Sequence, residues 1–123
     1  MLELLRDLPV NTVGVRATGK VTKQEYEQVL MPALDAVSKK FDKINLLLLL
    51  ETDISHFTPG AWMNDLIVGL KHFTKWHRVA IVTEQKGVQK FTDIFSHFVP
   101  GQYKGFSIAE LGLAKHWVTD AAK

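Results

Sequence analysis

The segment Ile44–Glu51, INLLLLLE, decides the fold. Side chains of a strand alternate between its two faces, so five successive leucines, Leu46 to Leu50, leave no face for water. Both faces need cover, which is the position of a central strand in a largely parallel sheet. Parallel neighbours require long crossovers, usually helical, so amphipathic patterns should flank this strand on either side.

They do. Upstream, Thr22 stands three residues before Glu25, the spacing of a capping box that opens a helix. Tyr26, Val29, Leu30, Ala33, Leu34, Val37 and Phe41 then recur at helical spacing as one stripe. Pro32 interrupts that stripe and predicts a kink, because a mid-helix proline costs about 3 kcal/mol. Downstream, Thr58 is placed as an N-cap with Pro59 at the first helical position, which predicts a helix over 59–77.

Further outward, residues 2–5 and 13–19 read as two strands joined by the turn-rich DLPVN of residues 7–11, an antiparallel edge pair. RVAIV, residues 78–82, is a fourth, nearly all-apolar strand. Val88, Phe91, Phe95 and Phe98 mark a helix that ends before the breaker VPGQ. YKGFSI, residues 103–108, is a weaker fifth strand, and Leu111, Ala114, Trp117, Val118 and Ala121 form the stripe of a last helix. The order β-β-α-β-α-β-α-β-α predicts a single α/β domain over 1–123. Its single mixed sheet has four to five strands, mostly parallel with an antiparallel N-terminal edge strand.

Composition agrees with such a domain. The 123 residues are 46% hydrophobic and 23% charged, the balance of a globular chain. There is no cysteine, which excludes disulfides, thiolate metal sites and thiol nucleophiles. The N-terminus MLELLRDLPV lacks the pattern of a secretory signal, and the leucine run is far shorter than the roughly 20 residues of a membrane span. A cytoplasmic protein, at most peripheral to a membrane, is the expectation. A net charge of +2 gives no reason to expect nucleic acid as a partner.

The chemistry-bearing residues are sparse. No Walker or G-x-G-x-x-G spacing follows a predicted strand. His56, His72, His77, His97 and His116 include no pair at the three- or four-residue spacing that brings two imidazoles to one metal on a helix. Asp53, Ser55, His56 and Thr58 crowd into ETDISHFT, but neighbours in an extended loop point opposite ways and do not make a triad. We therefore expect no enzyme, no metal and no cofactor. The loop's place beyond the carboxyl end of a strand, with a helix start at Thr58, suits an anion, although the same Thr58 is better suited to do no more than cap its own helix.

The helix over 59–77 has the broadest apolar surface. Trp62, Met63, Leu66, Ile67, Leu70, Phe73 and Trp76 spread over about 180°, where docking on a sheet needs about 100°. Either this helix is more deeply buried than most, or Trp62, Met63 and Ile67 line a cleft or a partner surface. Lys71, Lys75, His77, Arg78, Lys86 and Lys90 gather near its end and in the next helix, a solvated face that also suits an anionic headgroup.

The segments GVRATGKVTKQEYEQVLMPAL, LLLLLETDISHFTPGAW and GLKHF together resemble the SpoIIAA-like family of small bacterial proteins, related to STAS domains. The likeness covers nearly the whole chain. It implies sequential parallel crossovers with most helices on one face, so the second face of the central strand must meet helix, ligand or another subunit, a homodimer being one solution. In STAS proteins that antagonise anti-sigma factors, a phosphorylatable serine follows the third strand within an Asp-Ser-Ser-Gly pattern. The matching residues here are Phe57, Thr58, Pro59 and Gly60, which keep a hydroxyl at Thr58 but replace the acid before it and the residue after it. The family is also similar in fold to CRAL-TRIO lipid-binding domains.

The expected function is a non-enzymatic binding domain for an apolar or amphipathic, lipid-like ligand or a membrane surface, under a mobile helix near 59–77. Trp62, Met63, Leu66, Ile67 and Leu70 would make the apolar contacts, with Lys71 and Lys75 near a headgroup. The alternative is a protein-interaction or regulatory switch of STAS type, centred on Thr58 as phospho-acceptor or anion site.

Overall fold

The computed structural model describes residues 2–6, 8–9, 11–18, 23–51, 76–84 and 102–120. Five strands, β1 (Leu2–Leu5), β2 (Thr12–Ala17), β3 (Ile44–Leu50), β4 (Trp76–Thr83) and β5 (Gln102–Ser107), form one sheet in the order β1-β2-β3-β4-β5. β1 runs antiparallel to β2, and every other pairing is parallel. This is the mixed α/β sheet that the leucine run demands, and β3 lies at its centre with all seven residues buried.

The alternation of β3 divides the core. Ile44, Leu46, Leu48 and Leu50 join Val13, Val15, Val79 and Ile81 under Tyr26, Leu30 and Leu34. Those three come from one helical rod: α1 (Lys23–Glu25), a π turn (Tyr26–Leu30) and α2 (Met31–Lys40). Leu47 and Leu49 point the other way, to Ala80, Val82, Phe106, Ala114 and Val118. Here the cover is α3 (Leu111–Asp120), which follows a single 3-10 turn (Ile108–Glu110).

The described helices therefore lie on opposite faces; the helices expected near 59–77 and 88–98, on which the expectation of one shared face also depends, fall on residues outside those described. Connectivity accounts for the two sides: the rod is a crossover between adjacent parallel strands and its side is set by handedness, whereas α3 follows β5 and returns across the second face. α3 thereby supplies helical cover for the second face of β3.

Pro32 is accommodated by a change of hydrogen-bond register. The Met31 N–H donates to the Tyr26 carbonyl, five residues back, and the proline falls in the first turn of α2. The π register thus lies directly before the proline, where the rod has to adjust to the lost N–H and to the ring. Glu25, expected in a capping box, accepts the Leu2 N–H at Oε2 (2.8 Å), tying the helix start to β1; Thr22 lies outside the described residues.

Trp76 and His77 correct the expected helix end, for both belong to β4. Trp76 pairs with Ile44 and is buried in the first core, an aromatic position that a pleated surface accepts well. His77 is the extra residue of a bulge, since Ile44 pairs with Trp76 and Asn45 with Arg78. Helical periodicity continued through Trp76 only because a tryptophan fits either pattern.

Gly14 in β2 allows the N-terminal segment to fold close over the second face. A Cβ there would run into Leu8, and would meet Leu5 at 3.1 Å. Leu5 and Leu8 accordingly pack against the second core.

Candidate functional site

Parallel order places the carboxyl ends of β2, β3, β4 and β5 along one edge of the sheet, where open α/β sheets bind ligands. Arg16 and Glu51 meet there. Arg16 Nη2 and Nε both donate to Glu51 Oε2, at 2.7 and 2.9 Å. The Arg16 side chain is 44% exposed, so the pair contributes at most about 1 kcal/mol and is available to an incoming charged group. The Glu51 N–H donates to the Ala17 carbonyl (2.9 Å), which continues the ladder one residue past the strands and fixes where the carboxylate starts.

Thr83 ends β4 on the same edge. It is fully buried, on the face of Val79 and Ile81, and its Oγ1 has no hydrogen-bond partner among the described residues. In β5 the paired Ser107 begins the 3-10 turn in a capping box. The Ser107 N–H and hydroxyl donate to Glu110 Oε1 at 3.0 and 3.1 Å. Those two hydrogen bonds, with a smaller contribution from Lys104, hold the Glu110 carboxyl below its usual range.

The opposite edge is closed by polar contacts. Buried Asn45 receives the Arg78 N–H at Oδ1 (3.1 Å), its Nδ2 donates to Thr12 Oγ1 (3.5 Å), and its own N–H donates to the Asn11 carbonyl (3.0 Å). Beside it, burial, then Lys43 and Arg78, lower the pKa of His77, and its Nδ1 is without a partner among the described residues. Arg78 continues outward: its guanidinium lies 4.9 Å from the Trp117 ring centre and donates to the Trp117 carbonyl (2.9 Å).

Between β5 and α3 runs a groove of about 330 Å³, lined by Lys104, Gly105, Phe106, Glu110, Leu113, His116 and Trp117. Lys104 and Phe106 are two apart on the strand, and Glu110, Leu113 and Trp117 recur at helical spacing. Both spacings stand in the sequence, but only the return of α3 over β5 brings them together.

Thr58, Trp62, Met63, Leu66, Ile67, Leu70, Lys71 and Lys75 lie outside the described residues, as do Asp53, Ser55, His56, His72 and His97. The remaining histidines are apart, His77 in the β4 bulge and His116 on α3. Among the described residues no three acidic or histidine side chains gather to hold a metal, and no helix is long and apolar enough to cross a membrane. Sequence reasoning singled out neither Arg16 nor Thr83, since each looks like an ordinary strand residue until the register is known.

Comparison with curated proteins and with solved structures returns no match. The SpoIIAA-like family model matches residues 12–119, which takes in β2 to β5, the helical rod and all of α3 but its last residue. That match agrees with the mixed sheet and its single antiparallel pair, and with it the chain belongs to the SpoIIAA-like family, related to STAS domains.

Proposed function

We propose that this chain is a non-enzymatic regulatory domain of STAS type that binds a partner protein at the carboxyl edge of its sheet, with Thr58 as the switch position. The observation that carries this reading is the family match over 12–119, on a sheet whose carboxyl edge presents the accessible Arg16–Glu51 pair. Phosphorylation adds a charge of about −1.5 to −2 and three acceptor oxygens, enough to create or abolish a charge-assisted contact with a partner. The family match favours this reading over a lipid-like ligand beneath 59–77.

The test is quantitative affinity capture with the tagged chain and its Thr58→Ala, Thr58→Glu and Arg16→Glu variants. A partner retained by Thr58→Ala and lost from both charged variants supports the switch. Identical partner sets for all four proteins refute it. Native mass spectrometry of the same preparations separates the lipid-like reading, which requires a co-purifying apolar mass.

A further inference from the structure

α3 covers the second face of the sheet with Leu111, Ala114, Trp117 and Val118 and turns another face outward. Of the three large apolar side chains exposed among the described residues, two are on this face or at its start: Ile108 (38%) and Leu113 (62%). Ala109, Gly112 and His116 are exposed beside them. On a helix, residues three and four apart are neighbours, so Ala109, Gly112, Leu113 and His116 bound one hollow. A partner helix sets a side chain into a four-residue hole of this kind, and here two of its walls are the smallest residues.

Gly112 is the informative member. A Cβ added there meets nothing within 4 Å, so no neighbour in the same copy requires a glycine. The position is helical, where glycine is less favourable than alanine, so the backbone does not require it either. Close approach of a second helix does.

The polar groups on this face are placed to match themselves. Glu110 and His116 stand three residues before and three after Leu113. Two copies of α3 running antiparallel and centred on Leu113 therefore set the Glu110 of each opposite the His116 of the other. An imidazole N–H can donate to that carboxylate, which offers about four acceptor positions, of which Ser107 takes two. The Ser107 hydrogen bonds also hold the Glu110 side chain in place for the contact.

We propose that the chain forms a two-fold symmetric dimer through α3, with Leu113 of each copy seated in the hollow at Ala109, Gly112, Leu113 and His116 of the other. A two-fold contact uses one patch twice. A patch with its knob beside its hole, and a donor and an acceptor equally spaced about the knob, is complementary to a copy of itself; a foreign partner requires neither arrangement. The contact is independent of Thr58, and it sets the second subunit on the helix that covers β3 rather than on β3 itself.

Sedimentation equilibrium of the full chain, with Tm measured on each variant, tests the dimer. One helix face is a small interface, so association should be weak and should give way to monomer on dilution from about 1 mM to about 1 µM. Leu113→Glu should abolish it throughout that range and leave the Tm of the dilute chain unchanged, because the side chain is exposed in the monomer. Gly112→Ala should weaken association about tenfold by filling the hollow, yet raise the Tm of the dilute chain, opposite signs that a merely structural glycine does not give. His116→Glu should weaken association about fivefold by facing Glu110, whereas His116→Lys should preserve it. Three outcomes overturn the proposal: a chain that is monomeric at the highest concentration, which leaves the face to a different protein; a dimer indifferent to Leu113→Glu, which places the contact elsewhere; or association unchanged or tightened by Gly112→Ala, which removes the close packing. None of these bears on partner retention by the Thr58 variants, so the two readings fail independently.

Discussion

Thr83→Val should stabilise the protein. The Thr83 side chain is fully buried and its hydroxyl oxygen has no hydrogen-bond partner among the described residues, so none of them replaces the water that folding strips from that group. An unsatisfied buried hydroxyl costs about 1–3 kcal/mol, and valine keeps the branched shape while removing the oxygen. Valine is also at home in a central strand, and β4 lies between β3 and β5. We expect a gain of about 1–2 kcal/mol in urea unfolding with m unchanged, or a rise in Tm of about 4–8 °C for a chain of this size. Val82→Thr is the converse: it places a new hydroxyl at a buried position on the other face and should lose about 1–3 kcal/mol. A loss of stability in Thr83→Val would refute the reasoning, because it would show that the hydroxyl is bonded in the native protein.

Three further expectations concern the core and two titrating groups. Leu34 is fully buried between α2 and the sheet, so Leu34→Ala should cost about 2–5 kcal/mol in the same urea assay. Glu110 has a depressed pKa in the folded state, so its contribution is present above the unfolded value of 4.5 and lost as pH falls through the folded one. The Tm difference between wild type and Glu110→Gln should therefore close on acidification below 4.5. His77 has its pKa lowered from 6.5, so the unfolded chain takes up the proton first and stability falls as pH drops through 6.5. His77→Gln should flatten the Tm profile across that window.

How much was legible can be followed residue by residue. Ile44–Leu50 announced the central strand because an unbroken apolar run has one physical solution at that length, and the stripe Tyr26-Leu30-Leu34 announced the rod because its period is helical. Trp76 was misplaced because a helical period and a strand end can share an aromatic. The π turn was unreadable: Pro32 signals a disturbance, but whether the helix bends or changes register depends on what the sheet beneath requires. The face taken by α3 was equally hidden, because a terminal helix has no second strand to fix its side. The groove depends on that face, so Lys104, Phe106 and Trp117 carried no common signal. Thr58 and the apolar stripe of 59–77 remain sequence readings.

The two edges of the sheet divide the work, and that division is testable. At the amino edge, buried Asn45 bonds to β4 and β2 through its side chain, across three adjacent strands. Removing it leaves the Arg78 N–H without its acceptor inside the protein, a loss of about 1–3 kcal/mol before any cavity is counted. At the carboxyl edge the Arg16–Glu51 pair is exposed, and solvent screening limits it to under about 1 kcal/mol. Asn45→Ala should therefore destabilise the fold more than Arg16→Ala and Glu51→Ala combined, whose double-mutant cycle should give a small coupling that fades in high salt. If the Arg16–Glu51 pair instead stabilises the fold more than Asn45 does, the carboxyl edge is a structural clamp and the surface proposed for a partner loses its basis. If the order holds, the chain keeps its stability at the amino end of the strands and commits little of it to the exposed Arg16–Glu51 pair at the other, as a binding edge requires.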